Sequence, residues 1–239
     1  ALVEYHFNNI DVELHYVFNN MSEVYYATNG TSFYSSLSRS LVHDVTASYY
    51  DSLLPDISGS TNGFTKMSLI FDKRIPIKPH ITGIIGANTS FIFQDKLQPG
   101  EESFTAYGYA ENYFIGGILP IPDKNSYDFP GLNQNELSVT QFMQLEMAMQ
   151  LHATSKIYLT PHFNIASVGF DTFDEYIKNA FSPNGNWSNQ IGTSLLMSAG
   201  ATLSYNSFLG PINFDTSWVN DTNNVKLFFS LGLAFNLAN

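Results

Sequence analysis

The sequence predicts a transmembrane antiparallel β-barrel, with about 10–12 strands in this chain. Three observations carry that reading. Aromatic residues make up 15% of the chain while charged residues make up only 13%, against about 25% charged in an ordinary soluble domain. Strict apolar/polar alternation recurs from end to end, which is the period of a strand with one buried and one polar face. No stretch supplies the ~20 consecutive apolar residues of a spanning helix. A chain that spans a bilayer without such a helix must close its backbone hydrogen bonds as a barrel.

The alternation is clearest near the C-terminal end. Val225, Leu227, Phe229, Leu231, Leu233, Phe235 and Leu237 share one face, opposite Lys226, Phe228, Ser230, Gly232, Ala234 and Asn236. Ile191, Leu195, Met197, Ala199, Ala201, Leu203 and Tyr205 repeat the pattern over 190–206, and Val139, Met143, Leu145, Met147, Met149 and Leu151 over 139–152. Near the start, Ile10, Val12, Leu14, Tyr16 and Phe18 alternate with Asp11, Glu13 and His15. Met67, Leu69 and Phe71 do the same against Lys66, Ser68 and Asp72, and 2–7, 80–93, 103–115, 156–168 and 211–219 also read as strands.

Many of these runs suit the 9–11 residues of a tilted membrane strand better than the ~5–6 of a soluble one. Short connections at Asn8-Asn9, 153–155, 208–210 and 221–223 are expected to alternate with long ones at 29–62, 116–138 and 169–189. Barrels have tight periplasmic turns and longer outer loops. The stretch 171–181 reads as a helical turn within a loop. The chain is expected to form one domain, 1–239, in the bacterial outer membrane with lipid as its surroundings. A soluble β-sandwich also alternates, but its polar faces would carry Lys, Glu and Arg rather than Ser, Thr, Asn and Gly.

Composition narrows function further. The net charge of −11 argues against nucleic acid, since phosphates need Lys and Arg. With no cysteine, thiolate metal sites and thiol nucleophiles are excluded. His6, His15, His80, His152 and His162 are expected on polar, lumen-facing strand positions and His43 in a loop. No pair of them has metal-ligand spacing on one element, so no metal and no cofactor is expected. A hydrolase elbow of Gly-x-Ser-x-Gly type is absent; Gly59-Ser60-Thr61-Asn62-Gly63 has the wrong spacing. A Ser–His–Asn set built on His152 or His162 would face the lumen, away from lipid. The chain is therefore expected not to be an enzyme. Glu13, Lys66, Asp72, Glu146 and Asp215 are expected to form a hydrated interior network, and Tyr158, Tyr205, Phe208 and Trp218 to lie near strand ends, where an aromatic girdle would sit.

Two motifs point to a family. Ser230, Gly232, Phe235 and Leu237 have the spacing of a C-terminal assembly signal, in which outward apolar residues follow a twisting Gly; two residues, Ala238 and Asn239, trail it. Upstream, Gly116-Gly117 leads to Phe129-Pro130-Gly131-Leu132 and then to five strand segments. Together with 113–132, 205–236 and the Leu209-Gly210-Pro211 turn, these resemble the C-terminal barrel of the bacterial surface-antigen superfamily. Its members include barrel-assembly proteins and two-partner secretion translocators. Within that superfamily 113–132 and 205–236 most resemble the barrel that follows the patatin-like phospholipase domain in Bacteroidota outer-membrane proteins, and residues 33–54 resemble a segment of the same barrels.

The resemblance implies that the chain holds roughly ten of sixteen strands, either as the end of a larger barrel or as a smaller barrel with family-like ends. It implies a loop inside the lumen, with the barrel-assembly machinery and other outer-membrane subunits as partners. Where the family's loop carries an Arg, this chain has Pro130, which removes the usual loop-to-wall salt bridge. The expected role is a non-catalytic anchor, display element or accessory subunit. The alternatives are a passive channel or small-solute transporter, and the remnant of a patatin-like phospholipase whose catalytic domain lies outside this chain.

Overall fold

The computed structural model describes residues 2–49, 57–60, 63–95, 112–118, 125–220 and 224–232. Phe235 and Leu237 of the assembly signal, most of 103–112 and the 221–223 connection lie outside them. Nine strands run antiparallel in one sheet. They are β1 (Leu2–Asn19), β2 (Gly30–Tyr49), β4 (Phe64–Lys78), β5 (Ile81–Gln94), β9 (Gln141–His152), β10 (Ile157–Gly169), β11 (Thr193–Ser207), β12 (Gly210–Val219) and β13 (Val225–Leu231). They pair in that order, and β3 (Ile57–Ser60) adds to β2. Three short strands, β6 (Tyr113–Ile115), β7 (Ser126–Tyr127) and β8 (Leu137–Val139), form a separate small sheet. An α-helix, α1 (Phe173–Asn179), and a short 3-10 turn (Trp187–Asn189) lie between β10 and β11.

The outer face is apolar and open, the inner face polar. In β13, Val225, Leu227, Phe229 and Leu231 are exposed while Lys226, Phe228 and Ser230 are half-covered. In β9, Leu145, Met147 and Met149 are exposed whereas Gln144 and Gln150 are buried. A soluble protein would bury the opposite rows, because each large apolar side chain costs about 1.5–3 kcal/mol to leave in water. Hydrocarbon removes that cost.

The turns assign the two ends. β1, β4, β9 and β11 run into the connections at 20–29, 79–80, 153–156 and 208–209 at one end of the sheet, while β2, β5, β10 and β12 finish at the other, before the longer stretches of sequence. The short-turn end is periplasmic and the long-loop end extracellular.

Several expectations are revised. Asn8-Asn9 is not a turn: β1 runs unbroken through it, with a register irregularity at Ile10/Asp11. Residues 30–49, expected within a long connection, form β2, so His43 lies in a strand rather than a loop. By the alternation of β1, His6 shares the face of Ile10 and Leu14, not of Glu13 and His15. His80 sits in the β4–β5 turn. Residues 113–115 leave the wall for the inner sheet.

Candidate functional site: the occupied lumen

The segment between β5 and β9 turns inward. Its described parts carry Tyr113, Ile115, Tyr127, Phe129, Leu132, Leu137 and Val139 into one buried cluster with Phe64, Ile92, Phe142, Val168, Leu196 and Val219 of the wall. Those wall residues lie at the extracellular ends of six strands, on the parity that is otherwise polar. Val139, expected to face outward, is fully buried here. Hydrogen bonds fix the insert: the Tyr113 hydroxyl donates to the Phe91 carbonyl at 3.3 Å, and the Tyr127 hydroxyl lies 2.8 Å from Ser90 Oγ.

The family-like loop residues sit within this insert. Gly117 bridges Phe129, while Phe129 and Leu132 are fully buried. Gly116 has φ +134°, and a Cβ there would collide with the Asn133 carbonyl oxygen, so only glycine closes this turn without strain. Pro130 lines a cavity with Asp128 and Gln144. Two ties to the wall are Lys226 Nζ to Glu136 Oε2 at 2.9 Å and Gln144 Nε2 donating to the Asp128 carbonyl at 3.0 Å.

A second insertion comes from the periplasmic side. The β1–β2 connection places Tyr26, at φ +53°, flat on Tyr158 with centroids 4.0 Å apart. Its hydroxyl donates to Asn213 Oδ1 at 3.3 Å, and Gln150 Nε2 donates to its carbonyl at 3.1 Å. Burial raises the Tyr26 hydroxyl above its ordinary pKa. Tyr158, expected near an aromatic girdle, is therefore an inward residue; Tyr205, Phe208 and Trp218 are exposed at the outer surface or its turns.

Between the insertions lie two cavities of about 440 and 430 Å³. Asp72, Glu146, Thr160 and Thr202 line both. Asp72 pairs with Arg74 at 2.6 Å. Asp215 accepts from His162 Nε2 at 2.8 Å, from Thr202 Oγ1 at 2.7 Å and from Ser217. The other His162 nitrogen faces Asn164 Nδ2 at 3.4 Å. Serine thus reaches the carboxylate, not the imidazole, and this is not the arrangement that activates a hydroxyl nucleophile. His152 meets Gln150 at 2.9 Å. Glu13 takes a bond from the Tyr34 hydroxyl at 3.2 Å, and Lys66 stands 4.7 Å over the Tyr113 ring. Among the described residues no three His, Asp or Glu gather as metal ligands. The alternation made the inward charges legible, and the motif from Gly116-Gly117 to Leu132 marked a lumen loop by resemblance; the β1–β2 insertion had no local signature.

No curated protein matches the sequence. Among solved structures the chain is similar to BamA from Haemophilus ducreyi lacking POTRA domains 1–3, with 14% identity and a TM-score of 0.60 over 92% of this chain. It spans 40% of the length of that structure's chain, and the likeness is one of fold. The outward apolar rows, the barrel fold and the short-turn/long-loop polarity place the protein in the bacterial outer membrane. The model of the OMP85 superfamily matches residues 14–235, so the chain belongs to the OMP85 superfamily.

Proposed function

We propose that this barrel is a non-catalytic outer-membrane anchor or accessory subunit rather than an open channel. The observation that carries the reading is the filling of the lumen from both ends: an apolar insert at the extracellular side and Tyr26 at the periplasmic side. A diffusion pore needs a continuous wet path, whereas the outer half of this lumen is packed like a protein core. The polar groups between the two insertions bond largely to each other, and His162 lacks the serine contact that hydrolysis would require.

The resemblance of 33–54 and 113–132 to the barrels of patatin-like proteins supports a finer reading, in which the barrel holds a hydrolase domain at the membrane. The C-terminal spacing of Ser230, Gly232, Phe235 and Leu237 supports delivery by the barrel-assembly machinery. Planar-bilayer recording on the purified protein tests the main claim. Silence at the single-channel level is expected; a steady ohmic conductance would replace the anchor by the channel. The mass and gene order of the intact product test the patatin link, which fails if neither the product nor its neighbour carries a hydrolase domain.

A further inference from the structure

Loop 170–192 divides: Trp187 joins the buried lumen cluster, whereas helix α1 packs on the outside of the wall. The register gives its height. Outward apolar positions continue up to Ile165 on β10 and Met143 on β9, and the next outward residues are Ser167, which pairs with Met143, and Gly169, which pairs with Gln141. α1 rests on this ledge. The Tyr176 ring occupies the space a Gly169 side chain would fill, and its hydroxyl donates to the Ser167 carbonyl at 3.2 Å. Ser167 Oγ donates in turn to the Ala180 carbonyl at 2.8 Å. Phe173 packs on Phe91 and Phe93 of β5, with centroids 5.1 and 4.6 Å away. The helix therefore sits at the upper edge of the hydrocarbon-facing band, where headgroups meet acyl chains, and covers Phe91 and Phe93, the last outward apolar residues of β5.

Its two flanks differ. At 3.6 residues per turn, Phe173, Tyr176 and Ala180 face the wall. Ile177 turns onto one flank, with Phe181 one turn on, just past the helix end; they are 49% and 88% exposed. Asp174, exposed, borders that flank on its solvent side; Glu175 and Asn179 occupy the other flank, and Lys178 pairs with Glu175 at 2.7 Å. Two exposed apolar side chains beside a lipid-facing wall, with the charges gathered on the side of the helix away from that wall, match an interfacial helix.

We propose that α1 is a lipid-contacting shelf: Ile177 and Phe181 seat in the headgroup–acyl boundary of the outer leaflet and extend the lipid-facing wall by one helix. The occupant is lipid because the exposed flank is continuous with a surface already lipid-covered and lies at its upper edge.

The absence of cysteine makes the test direct. Phe181→Cys, Ile177→Cys and, on the charged side, Lys178→Cys are each labelled with a nitroxide in the full chain. The proteins are then folded into phosphatidylcholine vesicles, and relaxation by oxygen, which partitions into lipid, is compared with relaxation by a water-soluble nickel chelate. Folding is checked by heat-shifted gel migration. The ratio of oxygen to nickel accessibility at 177 and 181 is expected to exceed that at 178 by about threefold or more. Equal ratios at the three sites overturn the proposal in favour of a water-exposed loop. Exclusion of both reagents at 177 and 181 overturns it in favour of a protein neighbour.

Discussion

The ring of Tyr26 lies parallel to that of Tyr158 within 8°, joining the β1–β2 connection to the opposite side of the lumen. This stack, with the Asn213 and Gln150 hydrogen bonds, fastens the periplasmic insertion. Tyr26→Ala is expected to cost about 1–2 kcal/mol in urea unfolding, from lost stacking and hydrogen bonding. It should also increase protease cleavage within 20–29 without changing the cleavage of loop 170–192. Unchanged stability together with unchanged cleavage would show that the insertion is held elsewhere.

Asp215 accepts three side-chain hydrogen bonds and is almost fully buried. His162→Ala removes one donor and leaves the carboxylate short of a partner, a loss of about 1–3 kcal/mol. Asp215→Asn with His162 intact retains an acceptor and should cost less. The order of the two variants in thermal or urea unfolding is the check.

Orientation of the wall is tested at Met147, mid-band on the outer face of β9 and 45% exposed. Met147→Arg is expected to destabilise folding into vesicles by about 2–4 kcal/mol, while the same change at the exposed loop residue Glu175 is near neutral. In a soluble protein, an exposed Met147 would accept arginine freely.

Much of this was legible in the sequence. β9, β10, β11 and β13 announce themselves because large apolar residues strictly alternate with Ser, Gly, Gln and Asn. β2 was hidden because Ser32, Ser36, Ser38 and Ser40 face inward and its outer row includes Ser35 and Arg39, so the contrast between faces is small. Asn8-Asn9 looked like a turn by residue type, yet strand pairing with Asp44 and His43 overrides that preference. The lumen insert was the least visible element. Tyr113-Phe114-Ile115 fits a wall strand locally, and only packing against Phe142, Val168 and Leu196 decides its place. A signal existed nonetheless: Phe64, Ile92, Phe142, Val168, Leu196 and Val219 are apolar on the lumen parity and all lie toward one end.

Tyr176 gives a pH prediction outside the spanning segments. Burial is the main cause that pushes its hydroxyl up to about 12 from 10.0, so the folded loop favours the neutral form. The stabilisation is intact below pH 10 and is lost as pH rises from 10 through 12, an effect on the order of 2 kcal/mol. Alkaline titration at the tyrosinate absorbance should show one fewer late-ionising group in Tyr176→Phe than in the wild type. Loop 170–192 should become protease-sensitive in the wild type over the same range. A late-ionising fraction left unchanged by Tyr176→Phe would show that Tyr176 is not among the shifted tyrosines.

β1 and β2, at 18 and 20 residues, outrun the 9–11 that a tilted crossing requires, and their surplus lies at the end of the long loops. At about 3.3 Å per residue and a tilt near 40°, this side of the wall stands roughly 18–28 Å above the hydrocarbon. Among the described strands the rim is therefore lopsided, and an antibody, phage or neighbouring cell that binds this palisade touches β1 and β2.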